Sequence, residues 1–244
     1  MKLNCDMGES YGSWTMGCDA EAMPLIDMAN IACGFHASDP LTMARTLALA
    51  RNCGVQIGAH PGYPDLQGFG RRSLACSVEE AGCLLQYQVG ALQALARAQD
   101  LRVSYIKPHG ALYNDMMRDD VLMQALMQAT RALDDGLALV IQATTRNAHY
   151  RQMAAAADVE LLFEAFADRA YDACGLLLSR TQPGAVLSDP AAIVEQVQRL
   201  VREGVVRSVA GSDLALQPDT LCVHGDNAAA IAVLQQIRRV LDHA

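Results

Sequence analysis

Val55-Gln56-Ile57-Gly58-Ala59-His60-Pro61-Gly62-Tyr63-Pro64-Asp65-Leu66-Gln67-Gly68-Phe69-Gly70-Arg71-Arg72 is the stretch on which the reading of this chain turns. Val55 to Ala59 form a short, mostly apolar run with the length of a buried strand. The run stops at His60, and a loop built on Pro61, Gly62, Pro64, Gly68 and Gly70 follows. Glycine admits positive φ and proline fixes φ near −65°, so such a loop has a defined path. A titratable ring at a strand end, before a shaped loop carrying Tyr63, Asp65, Arg71 and Arg72, predicts a functional site. Taken alone, the stretch fits a structured turn with a satisfied histidine equally well.

The pattern recurs on both sides of this stretch. Upstream, Met1 to Met7 reads as a strand ending in Asp6, before Gly8, Glu9 and Ser10. Pro24 to Phe35 is apolar apart from Asp27 and Asn30 and ends at His36. Asp39 and Pro40 then open a helix as N-cap and first helical residue, and Gly54 ends it. Downstream, Ser77-Val78-Glu79-Glu80 is a capping box, and Leu85, Val89, Leu92 and Ala96 mark one helical face. Leu101 to Ile106 is a fourth strand, leading into Lys107-Pro108-His109-Gly110. Asp119 to Leu133 reads as helix, Leu137 to Ala143 as strand and Asn147 to Ala157 as a short helix. Val159 to Phe163 is a sixth strand, leading into Glu164, Asp168, Arg169 and Tyr171. Asp189-Pro190 starts another helix that Gly204 stops. Thr220 to Val223 is a seventh strand, followed by His224-Gly225-Asp226, and Asn227 to Leu241 is the closing helix.

About seven alternations of buried-type strand and amphipathic helix predict an α/β fold with a parallel sheet, doubly wound or closed into a barrel. There is no low-complexity linker and no internal repeat, so residues 1–244 are expected to form a single domain.

Composition narrows the function. The chain of 244 residues is 52% hydrophobic, enough for a sizeable core. No apolar run reaches the ~18 residues of a membrane span. Met-Lys-Leu-Asn-Cys-Asp at the start lacks the apolar core of a signal peptide. Eight scattered cysteines without a Cys-x-x-Cys pair suit reduced thiols, so a cytoplasmic location is expected. A net charge of −8 argues against nucleic acid as a partner. Lys2 and Lys107 are the only lysines, and proline follows Lys107, so there is no Gly-Lys-[Ser/Thr] phosphate loop.

The polar residues fall in a telling place. His36, His60, His109 and His224 follow predicted strands, as do Asp6, Lys107, Glu164 and Asp226. Active sites of parallel barrels and open α/β sheets lie at the carboxyl ends of the strands. His149 and His243 fall on helices and read as surface residues. Asp6 and Glu9, or Glu164 and Asp168, could supply a general base, and His60, His109 and His224 could move protons near neutral pH. Lys107 and Arg169 could hold a carboxylate or polarise a carbonyl. A bracing Asp168–Arg169 ion pair and a structural Lys107–Asp6 pair are the plain alternatives. A converging Asp and two His would also suit a divalent metal, but no HExxH-like spacing assigns a ligand set. With no Gly-x-Ser-x-Gly elbow, water activation is favoured over a covalent nucleophile. Asp6, Lys107 and His109 are the expected centre of the chemistry, with His60 and His224 in support and Arg169 steering a carboxylate.

These residues sit in ordered blocks that resemble the LamB/YcsF family along nearly the whole chain. The blocks are Asn4-Cys5-Asp6-Met7-Gly8-Glu9, Ala29 to Pro40, Gly58 to Asp65, Phe69-Gly70-Arg71-Arg72, Lys107 to Tyr113, Glu164 to Tyr171, Pro183-Gly184-Ala185-Val186 and Cys222 to Asp226. Ser38 stands where the family's His-Ala-Gly-Asp-Pro has glycine, and the N-terminus is a residue or two short. The resemblance implies an incomplete TIM-like barrel of the glycoside hydrolase/deacetylase type. It implies ATP-dependent opening of 5-oxo-L-proline to L-glutamate, with two further 5-oxoprolinase subunits as partners and ATP bound or used largely through them. Asn30, His36, Tyr63, Tyr113, Glu164, Arg169 and Tyr171 in these blocks are the expected substrate-binding set. The fold's relatives include metal-dependent deacetylases, which leaves a divalent metal open. Two rival functions remain: a stand-alone metal-dependent deacetylase or amidohydrolase, and a non-catalytic lactam-binding subunit.

Overall fold

The computed structural model describes residues 1–134, 136–224 and 228–243. Asp226, a carboxylate singled out in the sequence, lies outside the described residues.

Seven parallel strands close into a barrel: β1 (Lys2–Met7), β2 (Met28–Ala32), β3 (Gln56–His60), β4 (Val103–Ile106), β5 (Ala138–Gln142), β6 (Glu160–Phe166) and β9 (Thr220–Cys222). The last strand closes the ring, pairing with β1 through Leu3↔Leu221 and with β6 through Ala165↔Leu221. The helices between strands are α1 (Asp19–Ala22), α2 (Pro40–Cys53), α3 (Val78–Arg97), α4 (Gly110–Met116), α5 (Asp120–Leu133), α6 (Asn147–Ala157) and α7 (Pro190–Glu203), with α8 (Ala228–Asp242) after β9. A small antiparallel hairpin, β7 (Val205–Arg207) with β8 (Asp213–Ala215), sits between α7 and β9.

The helix boundaries follow local chemistry. Asp39 caps α2 by accepting from the Leu41 and Thr42 amides, and Gly54 ends it at φ +68°. Ser77 and Glu80 form the reciprocal capping box of α3. Asp189 caps α7, and Gly204 ends it at φ +69°.

Strand alternation sorts side chains into two layers. Leu3, Cys5, Ile31, Ile57, Leu139, Phe163 and Leu221 belong to the large core shared with the surrounding helices. A second, smaller cluster of Met28, Tyr105, Ala138 and Val140 belongs to the inward faces, with Leu162 packed against it. The inward residues become polar toward the carboxyl ends: Asn4 then Asp6 on β1, Asn30 on β2, Glu164 on β6. The Tyr105 ring fills the space that a Cβ at Gly58 would need.

Three expectations need correction. Asp6 and Glu164 lie inside β1 and β6, not at their ends. His36 lies beyond β2, because the strand stops at Ala32 and a loop with Gly34 at φ +94° follows. The β7–β8 hairpin and α4 were not anticipated; strands of three residues are too short to show a period of two.

Candidate active site

The barrel mouth holds a small cleft, lined among others by Asp6, His60, Arg71, Lys107, His109 and His224. Tyr113, Phe166, Arg169 and Arg180 complete its walls.

On its floor, Lys107 reaches in directly after β4, and its ammonium meets four acceptors with three protons to give. Glu164 Oε1 lies at 2.9 Å, Asp6 Oδ1 at 3.1 Å, Asn4 Oδ1 at 3.2 Å and Cys222 Sγ at 3.1 Å. Burial would lower the lysine pKa, but Asp6, Cys222 and Glu164 hold it well above the ordinary value. The ammonium is therefore a permanent charge. Burial would likewise raise the Asp6 pKa, but the adjacent His60 ring and the Lys107 ammonium pull it well below the usual carboxylate range. Asp6 also accepts from Asn30 Nδ2 at 2.8 Å. Its other oxygen, Oδ2, faces His60 Nε2 at 3.3 Å and His224 Nε2 at 4.0 Å. Glu164 is held by Asn4 Nδ2 at 2.8 Å and by the Tyr113 hydroxyl at 3.1 Å.

His224, two residues after β9, forms a dyad with Asp168: Nδ1 lies 2.7 Å from Oδ2. Burial disfavours the imidazolium, but the Asp168 charge and hydrogen bond outweigh it and raise the pKa. Arg180 Nη2 stands 2.9 Å from His224 Nε2, a contact that works as a hydrogen bond only while that nitrogen is unprotonated.

Three imidazoles cluster beside Asp6, two of them stacked and His60 edge-on to both. His60 Nδ1 donates to the Lys107 carbonyl at 2.6 Å, and His109 Nε2 donates to the Phe69 carbonyl at 2.8 Å. His109 Nδ1 and His60 Nε2 then face each other at 3.0 Å. The His36 ring lies flat on His109, with centroids 3.7 Å apart and planes 4° apart. Burial, then the neighbouring histidines, push the His36 and His109 pKa values well below normal. Gly70, at φ +61°, makes the stack possible, since a Cβ there would press on the His109 ring and on the Cβ of His36.

Of the residues singled out in the sequence, Asp6, His60, Lys107, His109, Tyr113, Arg169 and His224 meet at the cleft. Asn30, His36 and Glu164 stand behind its wall with no exposed surface. Tyr63 turns its hydroxyl to Asp115 at 3.1 Å, and the Tyr171 hydroxyl accepts from the Phe166 amide at 2.7 Å. Arg169 gives Nε to the Ala185 carbonyl and Nη2 to the Leu178 carbonyl, which braces the loop over the mouth. The Lys107–Asp6 ion pair is present at 3.1 Å. Asp168 pairs with His224 rather than with Arg169.

Sequence reasoning passed over Arg180, Cys222 and Asn4. Arg180 sits in a loop without motif. Cys222 reads as a small hydrophobe, although its place two residues before His224 puts both on one strand face. Asn4 bears the same relation to Asp6.

A parallel barrel with acid, base and cationic side chains gathered inside its mouth defines a class of α/β barrel proteins with a polar site at the strand carboxyl ends. Within that class the chain belongs to the LamB/YcsF family, whose model matches residues 1–244. It is 56% identical to a 5-oxoprolinase subunit of Pseudomonas putida, over 98% of this chain and 93% of that one. It is 56% identical to the corresponding 5-oxoprolinase subunit of Chromohalobacter salexigens, over 98% and 96%. The crystal structure of a lactam utilization protein from Thermus thermophilus superposes with a TM-score of 0.90 at 41% identity, covering 100% of this chain and 96% of that one. No helix among the described residues is long and apolar enough to cross a membrane.

Proposed function

We propose that this chain is the lactam-hydrolysing subunit of a cytoplasmic, ATP-dependent 5-oxoprolinase, opening 5-oxo-L-proline to L-glutamate with two partner subunits. The observation that carries the reading is the fixed ammonium of Lys107 on the cleft floor, with a carboxylate and a histidine dyad beside it, in a chain 56% identical to proteins named as 5-oxoprolinase subunits.

The substrate is a five-membered lactam with one carboxylate. Arg71 and Arg180 on the cleft wall suit that carboxylate, and Arg169, braced by two carbonyls, sets the height of the wall. The lactam oxygen, or a phosphoryl group placed on it, would take the Lys107 proton now given to the weak acceptor Cys222. Asp6 Oδ2 orients water; with its low pKa it is a better hydrogen-bond acceptor than proton store. Hydrolysis forms a C–O bond from water and breaks the C–N bond, and the proton that water loses must be relayed by a cleft side chain to the leaving nitrogen. His224 suits that delivery better than His109, since Asp168 favours its imidazolium, whereas burial and the neighbouring histidines disfavour that of His109.

An unstrained lactam resists hydrolysis, which is why ATP coupling makes chemical sense. The chain has no Gly-Lys-[Ser/Thr] loop, so activation by ATP falls to the partners. The test measures glutamate release from 5-oxoproline and ATP by this chain alone and with its two partners. Turnover is expected only in the full assembly. No glutamate from an intact assembly ends the reading, and ATP-independent hydrolysis by the chain alone replaces it with an amidohydrolase.

A further inference from the structure

Four consecutive barrel strands each send one metal-type ligand to a single point. Glu9 follows β1, His36 follows β2, His60 ends β3 and His109 follows β4. One donor atom from each lies within 4.8 Å of all the others.

Hydrogen bonding fixes which nitrogens face that point. A backbone carbonyl can only accept, so the Lys107 carbonyl puts the His60 proton on Nδ1, and the Phe69 carbonyl puts the His109 proton on Nε2. The remaining lone pairs, His60 Nε2 and His109 Nδ1, are aimed at each other across 3.0 Å. Two lone pairs at that distance repel unless something positive sits beside both. His36 has no exposed surface, and neither of its ring nitrogens has a hydrogen-bond partner. Its Nδ1 faces Gly62, where a Cβ would come within 2.9 Å, while Nε2 points to Glu9 Oε1 at 3.6 Å. Glu9 Oε1 is also 3.9 Å from His109 Nδ1. Ligand atoms about a tetrahedral zinc-sized ion stand about 3.4 Å apart, against donor spacings here of up to 4.8 Å, and the His36 ring, parallel to His109, must turn for its Nε2 to converge on the same ion. Imidazoles whose far N–H is tied to a carbonyl are the usual form of metal-binding histidine.

The geometry points to a resident divalent transition-metal ion bound by His36, His60, His109 and Glu9. Three imidazoles and one carboxylate suit zinc, iron, cobalt or manganese, not magnesium or calcium. Asp6, Cys222 and His224 form the other candidate group among the described residues, but the Lys107 ammonium, 3.1 Å from both Asp6 and Cys222, already fills its cation position. The inference stands on ring geometry and does not depend on the lactam reading. When bound, the ion would supply a Lewis acid beside Asp6.

The experiment measures metal in the full chain purified without chelator, then binding of added Zn²⁺ and Co²⁺ to chelator-stripped protein. One equivalent of metal is expected, with Co²⁺ absorption bands of nitrogen–oxygen ligation and a chelator-reversible rise in melting temperature. His60→Gln with His109→Gln should weaken binding by more than about 100-fold, while His149→Gln, on a surface helix, should leave it unchanged. Folding of the double variant is checked by circular dichroism. If it does not fold, the cobalt spectrum of the wild-type protein decides alone. Stripped wild-type protein that binds neither ion overturns the inference, since a proton then joins His60 to His109. So does metal retained at full stoichiometry by a folded double variant.

Discussion

The ring of Tyr105 lies over Gly58 inside the barrel, and its hydroxyl donates to Asn30 Oδ1 at 2.8 Å. Asn30 in turn donates to Asn4 and Asp6, so one tyrosine supports the polar floor from below. Gly58→Ala should destabilise the protein by about 1–3 kcal/mol, since the ring has no room to retreat. Tyr105→Phe should cost about 1–3 kcal/mol for the unpaired acceptor it leaves. Chemical denaturation checks both, and two variants as stable as wild type would refute the packing.

Ser38 adopts φ +75°, a left-handed conformation that favours glycine, and its buried hydroxyl has no hydrogen-bond partner. Ser38→Gly should therefore stabilise the chain by about 1 kcal/mol, the left-handed strain outweighing the added freedom of glycine in the unfolded state. The melting temperature should rise by roughly 2–4 °C. A fall would show that the serine is held by more than its neighbours account for.

Lys107→Arg keeps the charge but brings a wider, planar head into a site with four acceptors around one nitrogen. Turnover of the full assembly should drop by about 10²–10⁴-fold while the subunits still associate. Near-normal turnover would reduce Lys107 to a structural counter-ion.

Arg180 and Arg169 should separate in kinetics. Arg180→Met removes a side chain that ends at the cleft, so KM should rise by about 10-fold or more with kcat less affected. Arg169→Met frees the Ala185 and Leu178 carbonyls and should lower the melting temperature as well. Equal effects from the two would dissolve the distinction.

The His224–Asp168 pair makes stability depend on pH. Despite burial, Asp168 raises the His224 pKa, and His224 lowers that of Asp168. The histidine contribution is complete below about pH 6 and fades as pH rises through the raised pKa. The aspartate contribution is complete above about pH 4 and fades on acidification. The loss of stability in Asp168→Asn should therefore be larger at about pH 5.5 than at about pH 8.5. A pH-independent loss contradicts the coupling.

How much of this was legible in the sequence depends on the range of the forces involved. Capping by Asp39, Ser77 and Asp189 acts over three residues, so it could be read directly. Strand alternation placed the chemistry at one end of a parallel sheet, and the relation of Lys107 to His109 followed from the same period. The contacts of Lys107 with Asn4 and Cys222 span more than a hundred residues and leave no local mark. The ring orientations of His36, His60 and His109 depend on backbone carbonyls and on Gly62 and Gly70, whose approach only the folded loops define. Arg180 gave no signal, because nothing in its neighbourhood has a period.

Closure of the barrel by β9 bears on how the chain is made. β1 occupies residues 2–7 and its closing partner residues 220–222, so the first strand synthesised waits for almost the last. Loop-closure entropy makes such distant pairings slow, and a strand edge left open meanwhile can recruit neighbours. Cys222 and His224, which β9 and the residues after it bring to the mouth, take their places only once that strand has paired. The C-terminal strand thus acts as the keystone: a nascent chain cut short before residue 220 lacks both its seventh stave and the Cys222 and His224 side chains that complete its mouth.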